Sequence, residues 1–278
     1  MDKINNIAET SNHQQYLDRM TTSFSVSSKR LIPLYITGKK VLDVGCGSGV
    51  LMKELLSYRP NIDIMGIDIN KKTVEYCIAQ GLNVKCGTLD DLEEKFDTII
   101  FSSVLHELSS YADDNLRFTV LPIINALQRA YQLLNPNGTI IIRDGLKGSE
   151  EYMTITAKSD KEINAFIKYM RENPIFCNPQ YNVDGMFITT TEKIIKEFLF
   201  TYTWGEESYS RELNEQYGIL TVDEWKKVVE YCKLTISATT ISAEEYAKYL
   251  YASFSKKELD KIFAQSTIVL IARKYALE

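Results

Sequence analysis

Histidine is scarce in this chain. Only two occur among 278 residues, and neither belongs to an H-E-x-x-H pattern or stands beside a cysteine cluster. The five cysteines, Cys46, Cys77, Cys86, Cys177 and Cys232, are odd in number and form no C-x-x-C pair. These absences leave a zinc centre and a disulfide framework without support; they fit reduced thiols in a cytoplasm. No nucleophile elbow is present, so acyl transfer through an activated serine has no support either. Positive charge is not in excess: 32 lysines and arginines face 37 aspartates and glutamates, for a net charge of -5. No basic stripe is dense enough to track a phosphate backbone. Bulk nucleic-acid binding is disfavoured, and only a small local RNA contact stays open. No apolar run reaches membrane-spanning length, and the N-terminus has no signal-peptide core. With 45% hydrophobic and 25% charged residues, the chain reads as one large globular domain, or one domain with a sizeable insertion.

Glycine is also sparse, 13 in all, yet three fall within the stretch Val41–Gly49, VLDVGCGSG. Val41, Leu42 and Val44 are strand formers. Gly45, Gly47 and Gly49 allow a tight bend and a close approach of backbone to a ligand. A helix from Val50 would aim its unpaired N–H groups at that ligand. About twenty residues further on, Gly66-Ile67-Asp68 ends a second strand with an acid placed to accept from a ribose diol. The glycines read G-x-G-x-G rather than the dinucleotide pattern G-x-G-x-x-G. Asp43 precedes them by two residues, where a carboxylate would repel a pyrophosphate and suit a ligand carrying an ammonium group.

This segment resembles motif I and the acidic ribose-binding position of the class I S-adenosylmethionine-dependent methyltransferases. The resemblance covers roughly residues 30 to 145 strongly and the C-terminal strands loosely. It implies a doubly wound, seven-stranded, mostly parallel sheet, S-adenosyl-L-methionine as cofactor and S-adenosyl-L-homocysteine as product. It also implies cofactor contacts from Asp43, Gly45, Cys46, Gly47 and Asp68. Gly87-Thr88-Leu89 resembles the adenine-side segment, with Thr88 in place of the usual acid; Ile69 and Leu89 would sandwich the ring. Asp90 and Asp91 either share that role or cap the following turn. Ser102, at the end of the fourth strand, matches the contact to the amino-acid end of the cofactor.

Alternating strands at Lys40–Val44, Ile62–Ile67, Asn83–Cys86, Phe96–Phe101 and Thr139–Arg143, with helices between, agree with such a sheet. The expected organisation is an N-terminal helical lid at 1–37, a cofactor-binding core at 38–149, a helical cap insertion at 150–217 and a C-terminal completion of the sheet at 218–278. The cap is read as helices near Glu151–Glu172 and Thr190–Phe200, joined by the loop Asn173–Gly185.

Methyl transfer needs a nucleophile held in line and, for a hydroxyl, a proton acceptor. His106, four residues beyond Ser102, is the candidate base, or else a histidine that packs locally at a helix start. Asp144 is the second catalytic candidate, to orient an amine or act as base. Arg143 could bind a carboxylate or phosphate, and the alternative for the two neighbours is a pair that fixes the loop. In the cap, Trp204 and Glu206 suit a cationic or polyhydroxyl substrate. Tyr16 is a candidate lid contact. The expected activity is methyl transfer to a small molecule at O, N or C. The rivals are a non-catalytic S-adenosylmethionine-binding regulator, an RNA methyltransferase and, last, a dinucleotide oxidoreductase.

Overall fold

The computed structural model describes residues 29–243 and 246–275. Tyr16 and most of the expected N-terminal helical lid lie outside them, and of that lid only α1 (Ile32–Tyr35) is described as a helix. Seven strands make the main sheet: β1 (Lys40–Val44), β2 (Asp63–Asp68), β3 (Val84–Cys86), β4 (Phe96–Ser102), β5 (Leu134–Gly145), β9 (Thr235–Ser242) and β10 (Thr267–Arg273). Their order is β3-β2-β1-β4-β5-β10-β9. All pairings are parallel except those of β10, which runs antiparallel to β5 and β9.

Both sheet faces are covered, which is why the strands are near-continuous Val/Ile/Leu runs rather than alternating ones. Leu42, Val44, Ile99, Phe101, Ile140 and Ile142 pack on α5 (Leu121–Leu133) and α9 (Val222–Tyr231). Val41, Ile100, Ile141 and Val269 face the other way, toward α2 (Val50–Tyr58) and α3 (Lys71–Ala79). The chain winds outward in opposite directions from β1 and β4. Their C-terminal ends, level at the Val44–Phe101 pairing, therefore flank the crevice where open α/β sheets bind ligands. Asn137, near the start of β5, adopts φ 63°, the left-handed region that asparagine tolerates.

The insertion after β5 differs from the expected helical cap. It contains a three-stranded antiparallel sheet, order β6-β8-β7, formed by β6 (Tyr152–Thr156), β7 (Asn182–Asp184) and β8 (Phe187–Thr191). Helix α6 (Asp160–Glu172) starts only at Ser159, whose side chain accepts from Lys161 N–H. Helices α7 (Glu192–Thr203) and α8 (Tyr209–Glu212) follow. Between β4 and β5 lie two separate helices, α4 (Leu105–Ser110) and α5. The cap also recruits chain from beyond its expected limits. Leu250, Phe254, Leu259, Ile262 and Phe263, from the β9–β10 connection with α10 (Tyr246–Leu250) and α11 (Lys256–Phe263), join its core with Ile155, Phe166, Ile188 and Phe198.

Candidate active site

The bend after β1 is built from glycine for steric reasons. Gly45 and Gly47 have φ of 65° and 51°, and a Cβ on Gly45 would lie 2.4 Å from Val104 Cγ2. Four of the bend's N–H groups are used internally: Gly45 and Cys46 both donate to Ile67 O at 2.8 and 3.1 Å, Gly49 donates to Cys46 O at 3.0 Å, and Gly47 donates to Asp68 Oδ2 at 3.1 Å. The bend thus contributes an open, Cβ-free wall more than a ring of donors. Cys46 turns inward and is buried. Asp68 also accepts from Asn70 N–H at 2.8 Å, so its carboxylate braces the bend from β2 while remaining half-buried at the crevice. Burial raises its pKa despite those two bonds.

Two polar atoms beside the bend lack partners. Asp43 is 2% exposed, and its Oδ2 is buried with no hydrogen bond. Desolvation pushes its pKa up to about 7, against the opposing charge of Lys29. Ser102 Oγ is buried and unpartnered as well. Buried polar atoms are normally paired. An unpaired acceptor near the end of β1 and a hydroxyl at the end of β4 fit a ligand with an ammonium-bearing amino-acid end. On the other flank Ile69 is 39% exposed and offers an apolar surface, whereas Leu89 is largely covered at 7%. Thr88 is committed to a turn: its hydroxyl donates to Asp91 Oδ2 at 3.1 Å and accepts from Asp90 N–H. Asp91 is the capping acid, and Asp90 lies 3.5 Å from Arg129.

His106 and Asp144, 38 residues apart in sequence, meet at the open ends of β4 and β5. His106 Nδ1 lies 2.7 Å from Asp144 Oδ1, and the His106 backbone N–H donates to Asp144 Oδ2 at 3.2 Å. On the other side Nε2 is 3.7 Å from Glu215 Oε2, a residue absent from the sequence expectations. Burial favours the neutral ring, but the two carboxylates outweigh it and raise the His106 pKa well above its ordinary value. Tyr111 O–H donates to Glu215 at 2.7 Å, and Arg211 Nε is 3.4 Å from the same carboxylate. Glu215 arrives on the segment 211–218, which crosses from the cap back to the core. That segment is seated by Gln216 N–H donating to Ser110 Oγ at 2.9 Å, and by Tyr217 and Gly218 N–H donating to Glu197 at 2.9 and 2.7 Å. Burial lifts Glu197 to about 7.

The remaining expected residues lie elsewhere. Arg143 and Asp144 do not pair with each other. Successive strand residues face opposite sides, and the buried Arg143 donates to Ser103 Oγ. Glu206 lines a cavity of about 700 Å³ formed within the cap by Lys161, Lys168, Tyr202, Tyr209 and neighbours. Trp204 is the half-buried C-cap of α7. Neither is brought to His106. Among the described residues, no helix is long and apolar enough to cross a membrane.

A family model described as a methyltransferase domain matches residues 37–267. A ribosomal RNA small subunit methyltransferase C of a Shewanella species is 36% identical over 75 residues, covering 24% of this chain and 22% of that protein. A ubiquinone biosynthesis O-methyltransferase of Haemophilus ducreyi is 26% identical over 156 residues, 51% of this chain and 60% of that protein. The chain thus spans less than two thirds of these relatives. An S-adenosylmethionine-dependent methyltransferase structure from Mesorhizobium loti superposes with a TM-score of 0.54 at 16% identity, covering 92% of this chain and 99% of that one. The family match spans the glycine bend, both unpartnered polar atoms and the His106 cluster. The chain is therefore a member of the methyltransferase domain family.

Proposed function

We propose that the enzyme methylates a small-molecule acceptor seated beside His106, beneath the segment 211–218. The observation that carries this reading is the buried line Asp144–His106–Glu215 at the open ends of β4 and β5. When bound, S-adenosylmethionine supplies an electrophilic methyl group on a sulfonium sulfur. The chain's own residues then hold the nucleophile in line, exclude water and receive a proton. Asp43 and Ser102 would hold the amino-acid end of the cofactor, Asp68 the ribose, and Ile69 one face of the adenine. Asp144 fixes the imidazole through Nδ1. The 3.7 Å gap between Nε2 and Glu215 Oε2 is too long for a hydrogen bond. A proton-bearing acceptor atom entering there would release its proton to the Glu215 carboxylate, because the raised pKa of His106 keeps both ring nitrogens protonated.

An RNA acceptor is the second reading, favoured by the likeness to a ribosomal RNA methyltransferase. That likeness covers only 24% of the chain, and the net charge of -5 offers no broad phosphate-binding surface. Incubation with methyl-labelled S-adenosylmethionine, a small-molecule cell extract and total RNA separates the two. Label is expected in the small-molecule fraction. Label in RNA alone would overturn the proposal.

A further inference from the structure

We propose that the acceptor carries a cationic nitrogen, an ammonium or guanidinium, which docks on Glu212 beside Glu107 and Glu215. This rests on the small-molecule reading above and names its substrate class.

Four carboxylates gather around His106 and Arg211: those of Asp144, Glu215, Glu107 and Glu212. Among the described residues two cations answer them. His106 lies between Asp144 and Glu215. Arg211 is spread over three acids, 3.4 Å from Glu215, 3.8 Å from Glu212 and 3.9 Å from Glu107. Glu212 is 1% exposed. Its Oε2 accepts from the Tyr217 hydroxyl, but its Oε1 is buried with no hydrogen-bond partner. Such an atom is costly unless a ligand donates to it. Acids outnumber cations here, so the group that complements this oxygen is a positively charged donor, which would itself hold Glu212 in the ionised, accepting form. Tyr217, stacked on Phe200 with centroids 5.1 Å apart and equally close to His106, supplies an aromatic wall beside it.

The electrostatics agree. Burial and neighbouring acids push Glu107 to about 7 and Glu212 to about 8, a state that an arriving cation would reverse. The cluster also borders the cofactor crevice, since Arg211 and Glu107 both act on or respond to the charge of Asp68. A divalent metal is the competing occupant, because donor atoms of His106, Glu107 and Glu215 lie within 4.8 Å of one another. A metal would require His106 Nε2 to lose its proton and Arg211 to leave the same oxygens. An organic cation on Glu212 Oε1 leaves the His106 proton in place, with Arg211 Nε no nearer than 3.8 Å to that oxygen.

The test is calorimetry on the protein saturated with S-adenosylhomocysteine. The probes are putrescine, agmatine and phenethylamine, with 1,4-butanediol and 2-phenylethanol as neutral counterparts and Mg²⁺ and Mn²⁺ as metals. At least one cationic probe is expected to bind tenfold or more tightly than its neutral counterpart. Glu212→Gln is expected to weaken that binding tenfold or more while S-adenosylhomocysteine affinity stays within twofold. Neutral and cationic probes binding alike, no cationic probe binding, or a metal binding in their place would overturn the proposal. Failure to bind S-adenosylhomocysteine, or methyl transfer to RNA alone, would instead strike the reading on which it rests. The wild-type comparison stands even if the variant fails to fold.

Discussion

Replacing Asp43 with asparagine removes a charge that the fold holds out of water without a hydrogen bond on Oδ2. The aspartate pKa is lifted from 3.8 to about 7 in the folded protein, chiefly by desolvation. An unfolded chain releases this proton near 3.8. Between those values the folded state binds more protons, so wild-type stability falls as pH rises. At 1.36 kcal/mol per pKa unit, the loss across the window is on the order of 4 kcal/mol. The asparagine side chain has no such proton to lose. The difference between Asp43→Asn and wild type should therefore be near zero at pH 4. It should grow in the variant's favour to as much as about 4 kcal/mol above pH 7. Urea titrations of the cofactor-free proteins from pH 4 to 8, followed by fluorescence of the buried Trp225, measure it directly. Subtracting one protein from the other cancels the other shifted acids. A difference that does not change with pH, or a variant less stable at pH 8, would refute the burial argument. The same variant should bind S-adenosylhomocysteine more weakly, trading affinity for stability.

Asp68→Ala should weaken S-adenosylhomocysteine binding by about 1–3 kcal/mol, the cost of losing one partner of a buried hydrogen bond; unchanged affinity in calorimetry would remove Asp68 from the ribose role. His106→Ala should destabilise the protein by about 3–5 kcal/mol, because Asp144 is left buried without its cation. Since the folded pKa of His106 is raised, this contribution is complete below about pH 6.5 and is lost as pH rises through the folded value. Urea titrations at pH 6 and pH 9 should show the gap narrowing at the higher pH, and a gap that widens would contradict the sign. Gly145→Ala would place a Cβ 2.5 Å from Tyr217 O, a backbone atom that cannot swing away. Amide exchange over 211–220 should accelerate in that variant, and an unchanged pattern would show that the contact yields without moving the segment.

Strands β1, β4, β5 and β10 are legible in the sequence because they are largely buried on both faces, so apolar residues run on with few polar breaks. The cap is less legible. Tyr152–Thr156, YMTIT, is rich in β-branched and aromatic residues, and Gly185-Met186 is the hairpin turn between β7 and β8, with φ 55° at the glycine. Both signals are present, but short strands beside a long amphipathic helix are easily absorbed into it. At the site, Asp43, the glycines and Asp68 fall on one local motif whose spacing is visible. The Asp144–His106 pairing depends on two adjacent strand ends, and Glu215 on a cap segment returning across them. Nothing near Glu215 in sequence distinguishes it from a solvated acid, and its place is set by the tertiary path alone.

The cap is assembled from two stretches of chain that leave the main sheet from different strands. Residues 150–217 supply most of it, but α10 and α11, far downstream of α6, complete its apolar interior through Phe254, Leu259 and Phe263. The two stretches also meet at the isolated bridge between Ala157 and Phe254. A transplant of this cap onto a related enzyme would thus need both pieces moved together. Excising 150–217 alone would strip α10 and α11 of the surface they lean on. Diversification of the acceptor pocket is correspondingly tied to the β9–β10 connection, so length changes in one stretch should be answered by changes in the other.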